Sequence, residues 1–214
     1  MSALHLDHVT ISLGGRQLLA VDTQVQPGET LTIMGPSGVG KSSLLAYIGG
    51  FLDKAFTASG AVRMDGEDLT ALPSHARRTG ILFQDPLLFP HMSVAENLLF
   101  AMPREAKDRQ AQADGALMKA GLDGFGDRDP ATLSGGQKAR VALMRVLLAQ
   151  PRCLLLDEPF SKLDTERRES VRSFVFGEAQ RLNLPVVMVT HDAEDANAAM
   201  DATGGEIIDL GAPG

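Results

Sequence analysis

The 214 residues are 44% hydrophobic and 22% charged, with a formal net charge of −7 and a mean hydropathy near zero, which fits one globular domain with a sizeable core. The acidic balance argues against a general nucleic-acid binder, which would present a basic face. The single cysteine, Cys153, sits in an apolar run and excludes a disulfide framework or a Cys-based zinc site. Apolar runs such as Val186 to Val189 are too short to span a bilayer. The start from Met1 to His8 lacks the basic and apolar regions of a leader, so a cytoplasmic chain is expected.

In chain order, Leu4 to Leu13 and Gln17 to Gln26 alternate imperfectly around Gly14-Gly15, predicting an antiparallel hairpin. Glu29 to Met34 reads as a buried strand and Ser42 to Ile48 as a helix. Between them Gly35-Pro36-Ser37-Gly38-Val39-Gly40-Lys41-Ser42 fits G-x-x-x-x-G-K-[ST], the pattern of a phosphate cradle. Polyphosphate needs donors that approach closely without side-chain bulk. The glycines let backbone N–H groups curl inward, and the helix start adds its positive dipole end. Lys41 then reaches the β- and γ-phosphates, and Ser42 offers a hydroxyl to a bridging Mg²⁺. This motif points to a nucleoside triphosphate but not to the use of its energy. The helix ends at Gly49-Gly50, and Ser59 to Glu67 reads as a strand with an Asp-Gly turn that extends the β-layer.

From Arg77 to Pro86 an apolar strand delivers Gln84 just before a proline. A glutamine there either points into a site or lies in a solvated loop. The apolar loop Leu87-Leu88-Phe89 follows, of the kind that meets a partner, and then a capping box, Ser93 with Glu96. Ser93 to about Gly121 is helical in pattern, interrupted at Met102-Pro103, and reads as a separable insert. Residues 121–130 form a turn-rich hinge. Leu133-Ser134-Gly135-Gly136-Gln137 opens a helical run from Lys138 to Gln150, with Ser134 as N-cap, which makes a second anion site. Cys153 to Leu156 is an apolar strand ending in Asp157-Glu158. Beside a phosphate loop, the first acid suits Mg²⁺ and the second can take the proton of an attacking water. Ser161 to Asp164, a helix from Thr165 to about Leu182, and the strand Pro185 to Thr190 follow, the last ending at His191-Asp192. A histidine there is structural unless the company it keeps gives it a ligand. Gly205 to Gly211 is a last short strand.

With the phosphate loop, Leu133-Ser134-Gly135-Gly136-Gln137, the Leu154-Leu155-Leu156-Asp157-Glu158 strand and His191 in this order, the chain resembles the ATP-binding subunits of ABC transporters over nearly its whole length. The Leu133–Gln137 signature is the specific element. The resemblance implies an α/β fold: a P-loop NTPase (RecA-like) core sheet flanked by helices, an N-terminal antiparallel β-layer, and an inserted helical subdomain. It implies one unit over 1–214, with 1–90 and 128–214 as core and 91–127 as insert. Gly35 to Ser43, including Ser42 and Ser43, resembles Walker A. Gln84 resembles the Q-loop glutamine, which touches the metal, and Asp157-Glu158 resembles Walker B with its catalytic glutamate. Ser161 to Asp164 resembles the D-loop and His191 the switch histidine. In this family two subunits sandwich two ATP molecules head to tail, so Ser134, Gly135, Gly136 and Gln137 of one would cap the γ-phosphate held by Lys41 of the other. One position departs from the pattern: where the family stacks adenine on an aromatic ring, this chain has Leu13, which offers apolar contact without a ring.

The run Phe83 to Asn97 is similar to importer subunits of the thiamine, sulfate and polyamine type. That likeness implies ATP and Mg²⁺ as cofactors, a second copy of the chain, a membrane permease received at Leu87, Leu88 and Phe89, a periplasmic or extracellular binding protein, and no nucleic acid. Lipid or lipoprotein extraction, cell-division signalling, or soluble work on ribosomes or DNA are the alternative tasks for such an ATPase. The transported molecule is not encoded here.

Overall fold

The computed structural model describes residues 3–211; the first two and last three residues of the expected 1–214 unit lie outside the described residues. β1 (Leu4–Leu13) and β2 (Arg16–Val25) form the expected antiparallel hairpin, with Leu13 opposite Arg16 across Gly14-Gly15. β3 (Thr30–Met34) leads through the phosphate loop into α1 (Lys41–Gly49), and the chain then returns as β4 (Phe56–Met64) and β5 (Glu67–Asp68). All of these strands except β3 make a four-stranded antiparallel sheet of order β2-β1-β4-β5.

The strand expected from Arg77 begins later. α2 (Ser74–Arg77) precedes it, and β6 covers only Thr79–Leu82. Arg77 is buried and holds the end of α1: Nη1 donates to Tyr47 O at 2.7 Å and Ile48 O at 3.0 Å, Nε to Leu72 O, and Nη2 to Thr70 O. A guanidinium thus satisfies carbonyls that a helix end leaves without intrahelical partners. Burial pushes its pKa down from the usual arginine value, against the pull of the Tyr47 and Asp68 charges.

The second sheet is parallel, of order β6-β7-β8-β3-β9, with β7 Cys153–Asp157, β8 Val186–Thr190 and β9 Gly205–Asp209. β7 and β8 are apolar up to their last residue, and β3 is buried from Thr30 to Ile33 although it carries Thr30 and Thr32, because both faces of the sheet are covered. Alternate residues serve opposite cores. Cys153, Leu155, Val187 and Val189 join Leu31, Ile33, α1 and the antiparallel sheet, while Leu154, Leu156, Val186 and Met188 face the remaining helices. Each such side chain contributes roughly 1.5–3 kcal/mol when fully buried.

Those helices are α3 (Val94–Ala101), α4 (Arg109–Lys119), α5 (Gly135–Leu148), α6 (Thr165–Arg181) and α7 (Ala193–Thr203). The Ser93–Glu96 capping box starts α3, and the break at Met102-Pro103 separates it from α4. α5 starts at Gly135, ahead of the expected Lys138, because Ser134 and Gln137 form a second capping box that closes the first turn. Leu98, Leu117 and Leu143 of the α3–α5 cluster share one core with Leu154 and Leu156 of the sheet.

Candidate active site

The register of the parallel sheet brings the polar strand ends together. Met34 lies opposite Thr190 and Asp209, and Asp157 lies opposite Val189, so Gly35, Glu158 and His191 emerge along one carboxyl edge. That edge is where open α/β sheets take ligands.

In the phosphate loop Gly35, Gly38 and Gly40 have φ of 147°, 85° and 98°, conformations that favour glycine. Gly40 is the N-cap of α1 and brings no side-chain acceptor, so the first-turn amides face the loop with the positive end of the helix. Lys41 is 5% exposed, and its Nζ donates to Gly35 O at 2.6 Å and Pro36 O at 2.9 Å. The ammonium therefore sits inside the curl of the loop. Leu13, Leu18, Ser37, Ser43, Phe56 and Glu158 line the same cavity, of about 390 Å³, together with Gly38, Gly40, Lys41 and Ser42.

The hydroxyl of Ser42 donates to Asp157 Oδ1 at 2.9 Å. Burial pushes the Asp157 carboxyl up, and the Glu158 charge adds to this, against the Ser42 hydroxyl and the Lys41 charge. A hydroxyl and a partly buried carboxylate in contact are the hard oxygen donors that Mg²⁺ takes, and a divalent cation there would offset the cost of burying the charge.

Glu158 has a φ of 45°, a strained conformation for a side chain of its size, at a cost of order 1–3 kcal/mol. Its surroundings fix that conformation: Glu158 N–H donates to Val189 O at 3.0 Å, and Glu158 O accepts from Ser161 N–H at 3.3 Å and Ser161 Oγ at 2.9 Å. The turn aims its carboxylate at His191, with Oε1 3.1 Å from His191 Nδ1.

Behind this pair, Asp192 caps α7 and accepts from Arg168 Nη1 at 2.5 Å, while Arg168 Nη2 donates to Leu163 O at 3.4 Å. Burial opposes the Asp192 charge, but the amides of Glu194 and Asp195 and the Arg168 guanidinium outweigh it and hold the carboxyl below its ordinary range. One arginine therefore ties the Ser161–Asp164 turn to the segment carrying His191. Asp164 itself is the N-cap of α6, accepting from Arg167 N–H at 3.0 Å. Its carboxylate is thus engaged in capping.

Two predicted groups lie apart from Lys41. Gln84 is exposed and lines a smaller cavity with Phe83, Gly135, Lys138, Lys162 and Leu163, next to an Asp85–Lys162 ion pair of 2.5 Å. Ser134, Gly136 and Gln137 line another, of about 390 Å³, with Arg140 and Arg167. The signature and the phosphate loop of one chain therefore line different cavities.

The apolar loop before α3 is rigidly held. Asn97 is fully buried; its Nδ2 donates to Phe89 O, Met92 O and Ser93 O, and its Oδ1 accepts from Phe89 N–H at 2.8 Å. Arg145 donates to Leu87 O at 2.9 Å and Pro86 O at 3.2 Å, and lies 5.3 Å from the Phe89 ring centre. Leu87 is left 57% exposed and Phe100, which meets the Phe89 ring, 62% exposed. Sequence reasoning missed Asn97, Arg145, Arg168, Leu18 and Phe56 as contributors. Phe56 carried no local signal either, because β4 opens there, ahead of the strand expected from Ser59.

The ABC transporter family profile matches residues 18–161. The chain is 47% identical over 198 residues to YnjD of Escherichia coli (strain K12), an uncharacterized ABC transporter ATP-binding protein, covering 91% of each chain. It is 41% identical over 204 residues to the sulfate/thiosulfate import ATP-binding protein CysA of Caulobacter vibrioides, covering 90% of this chain and 59% of that one. To the spermidine/putrescine import ATP-binding protein PotA of Pseudomonas fluorescens it is 38% identical over 200 residues, covering 90% of this chain and 55% of that one. It thus spans less than two thirds of the two import proteins' length.

Proposed function

Because the chain belongs to the ABC transporter family, we propose that it is the ATP-hydrolysing subunit of an importer, working as a head-to-tail pair against a membrane permease. The observation that supports this reading is the separation of its two anion-binding helix starts: Ser134 lines a different cavity from Lys41, which leaves it free for a nucleotide held by a second copy. The names of similar proteins, which import sulfate or polyamines, favour uptake over the other tasks.

In this reading the amides of residues 35–43 and the Lys41 ammonium bind the triphosphate, and Leu13 contributes apolar contact near its base. Ser42 and Asp157 would hold Mg²⁺, which would offset charge on the β- and γ-phosphates, and Gln84, which lines a separate cavity, would have to move to reach it. Glu158 takes a proton from the attacking water, and His191 steadies the γ-phosphate. Ser134, Gly135, Gly136 and Gln137 of the partner copy close over that phosphate, with Asp164 in the turn beside it. No helix among the described residues is long and apolar enough to cross a membrane. In this reading the solute path and its specificity belong to the permease and a binding protein.

The rigid loop with exposed Leu87 and the neighbouring Phe100 is the permease-docking surface. Leu88 packs on the core, so the informative substitutions are Leu87→Asp with Phe100→Asp. Tagged protein from detergent-solubilised membranes should recover a multi-span permease, with ATP turnover raised in the complex. The double variant should lose the permease and keep ATP binding. Retention of the permease by the double variant would refute the surface, and recovery of only ribosomal or DNA-bound partners would refute the transport reading.

A further inference from the structure

The cavity of the phosphate loop is lined by two chemically different sets of side chains. Lys41 and Ser42 offer charge and hydrogen bonds, while Leu13, Leu18 and Phe56 offer apolar surface. A ligand that meets both sets has a charged part and an apolar part.

Phe56 and Leu13 sit directly opposite each other in the β1–β4 register, so their side chains share one face of the antiparallel sheet. Leu13 is 42% exposed, while Phe56 is half-buried, packed against the core beneath that sheet. The backbone that carries the ring is fixed: Phe56 N–H donates to Asp53 O at 3.0 Å, and Ala55 N–H to the Asp53 carboxylate at 2.8 Å. A planar ring held at the mouth of a phosphate cradle suits stacking with a heteroaromatic base.

We propose that Phe56, flanked by Leu13, is the platform on which the nucleobase lies, and so sets how much of the affinity depends on the base rather than on the phosphates. The ring reaches the cavity from β4, the strand beside the one that ends at Leu13. This inference rests on the nucleotide-binding reading above and adds a positioning residue to it.

The test compares ATP with inorganic tripolyphosphate, each with Mg²⁺, by equilibrium titration of the full chain. Phe56→Leu keeps apolar bulk and removes the ring; it should weaken ATP about 2- to 10-fold and leave tripolyphosphate unchanged. Phe56→Trp restores a ring; it should bind ATP as the unaltered chain does, with tryptophan emission that responds to ATP and not to tripolyphosphate. Unchanged ATP affinity in Phe56→Leu would overturn the proposal, as would equal weakening of both ligands, which would mean only a displaced loop. If the unaltered chain bound tripolyphosphate as tightly as ATP, the base platform would fail while the phosphate site stood. If it bound neither, the nucleotide reading would fail as well.

Discussion

The contact between Glu158 and His191 allows a double-mutant cycle whose outcome the structure sets. With 21% and 54% of these side chains exposed, water screens the 3.1 Å pair, so its worth to stability is about 0–1 kcal/mol. At about 2–4 °C per kcal/mol for a domain of this size, neither Glu158→Gln nor His191→Ala should move Tm by more than about 4 °C. The rate is a different matter. Losing general-base action should lower kcat about 10²- to 10⁴-fold, which corresponds to about 3–5 kcal/mol of barrier, while ATP affinity stays within a few-fold. His191→Ala alone should cost more than about 10-fold, yet less than about 3-fold when added to Glu158→Gln, because groups that act as a unit lose their effect together. Phosphate release at saturating ATP, with equilibrium ATP titration, measures all four corners. Fully multiplicative losses would refute the idea that the two side chains serve one step.

Ser93 and Ser134 are both N-caps of capping boxes, so Ser93→Ala and Ser134→Ala should each destabilise the chain by about 0.5–2 kcal/mol in urea unfolding. Only Ser134→Ala should also reduce ATP turnover; equal turnover in both variants would remove Ser134 from the site. Burial pushes the Cys153 thiol from an ordinary 9.0 up to about 12. The folded chain therefore keeps a proton that the unfolded chain gives up. The resulting stability is fully present below about 9 and is lost as pH rises toward about 12. Urea titrations between those values should show a falling unfolding free energy, less steep in Cys153→Ala. At neutral pH a thiol reagent should label Cys153 only after unfolding, and rapid labelling of the native chain would contradict its burial.

The sequence made the phosphate loop legible because one short motif lies between a strand and a helix, and its chemistry is local. The β1–β2 hairpin, the capping boxes at Ser93 and Ser134, and the acid pair ending β7 were readable for the same reason. α2 was not: four residues carry too little periodicity to mark a helix, and Arg77 became its buried end because carbonyls of α1, 29 and 30 positions earlier, needed a donor. α7 was passed over since its short, alanine-rich run shows no strong apolar stripe, although Asp192 caps it. Phe56 joins the site only through the register of β4 on β1, and Arg168 only through the fold that sets α6 beside Asp192. Such pairings depend on tertiary placement, which local pattern does not carry.

In the proposed mechanism two copies complete each other's sites. Light scattering of the Glu158→Gln chain with Mg²⁺ and ATP measures this most directly, because slowed hydrolysis holds the closed pair. The predicted molar mass is twice the 22.8 kDa of one chain, returning to that value when ATP is removed. A chain that binds ATP and stays at 22.8 kDa would contradict it.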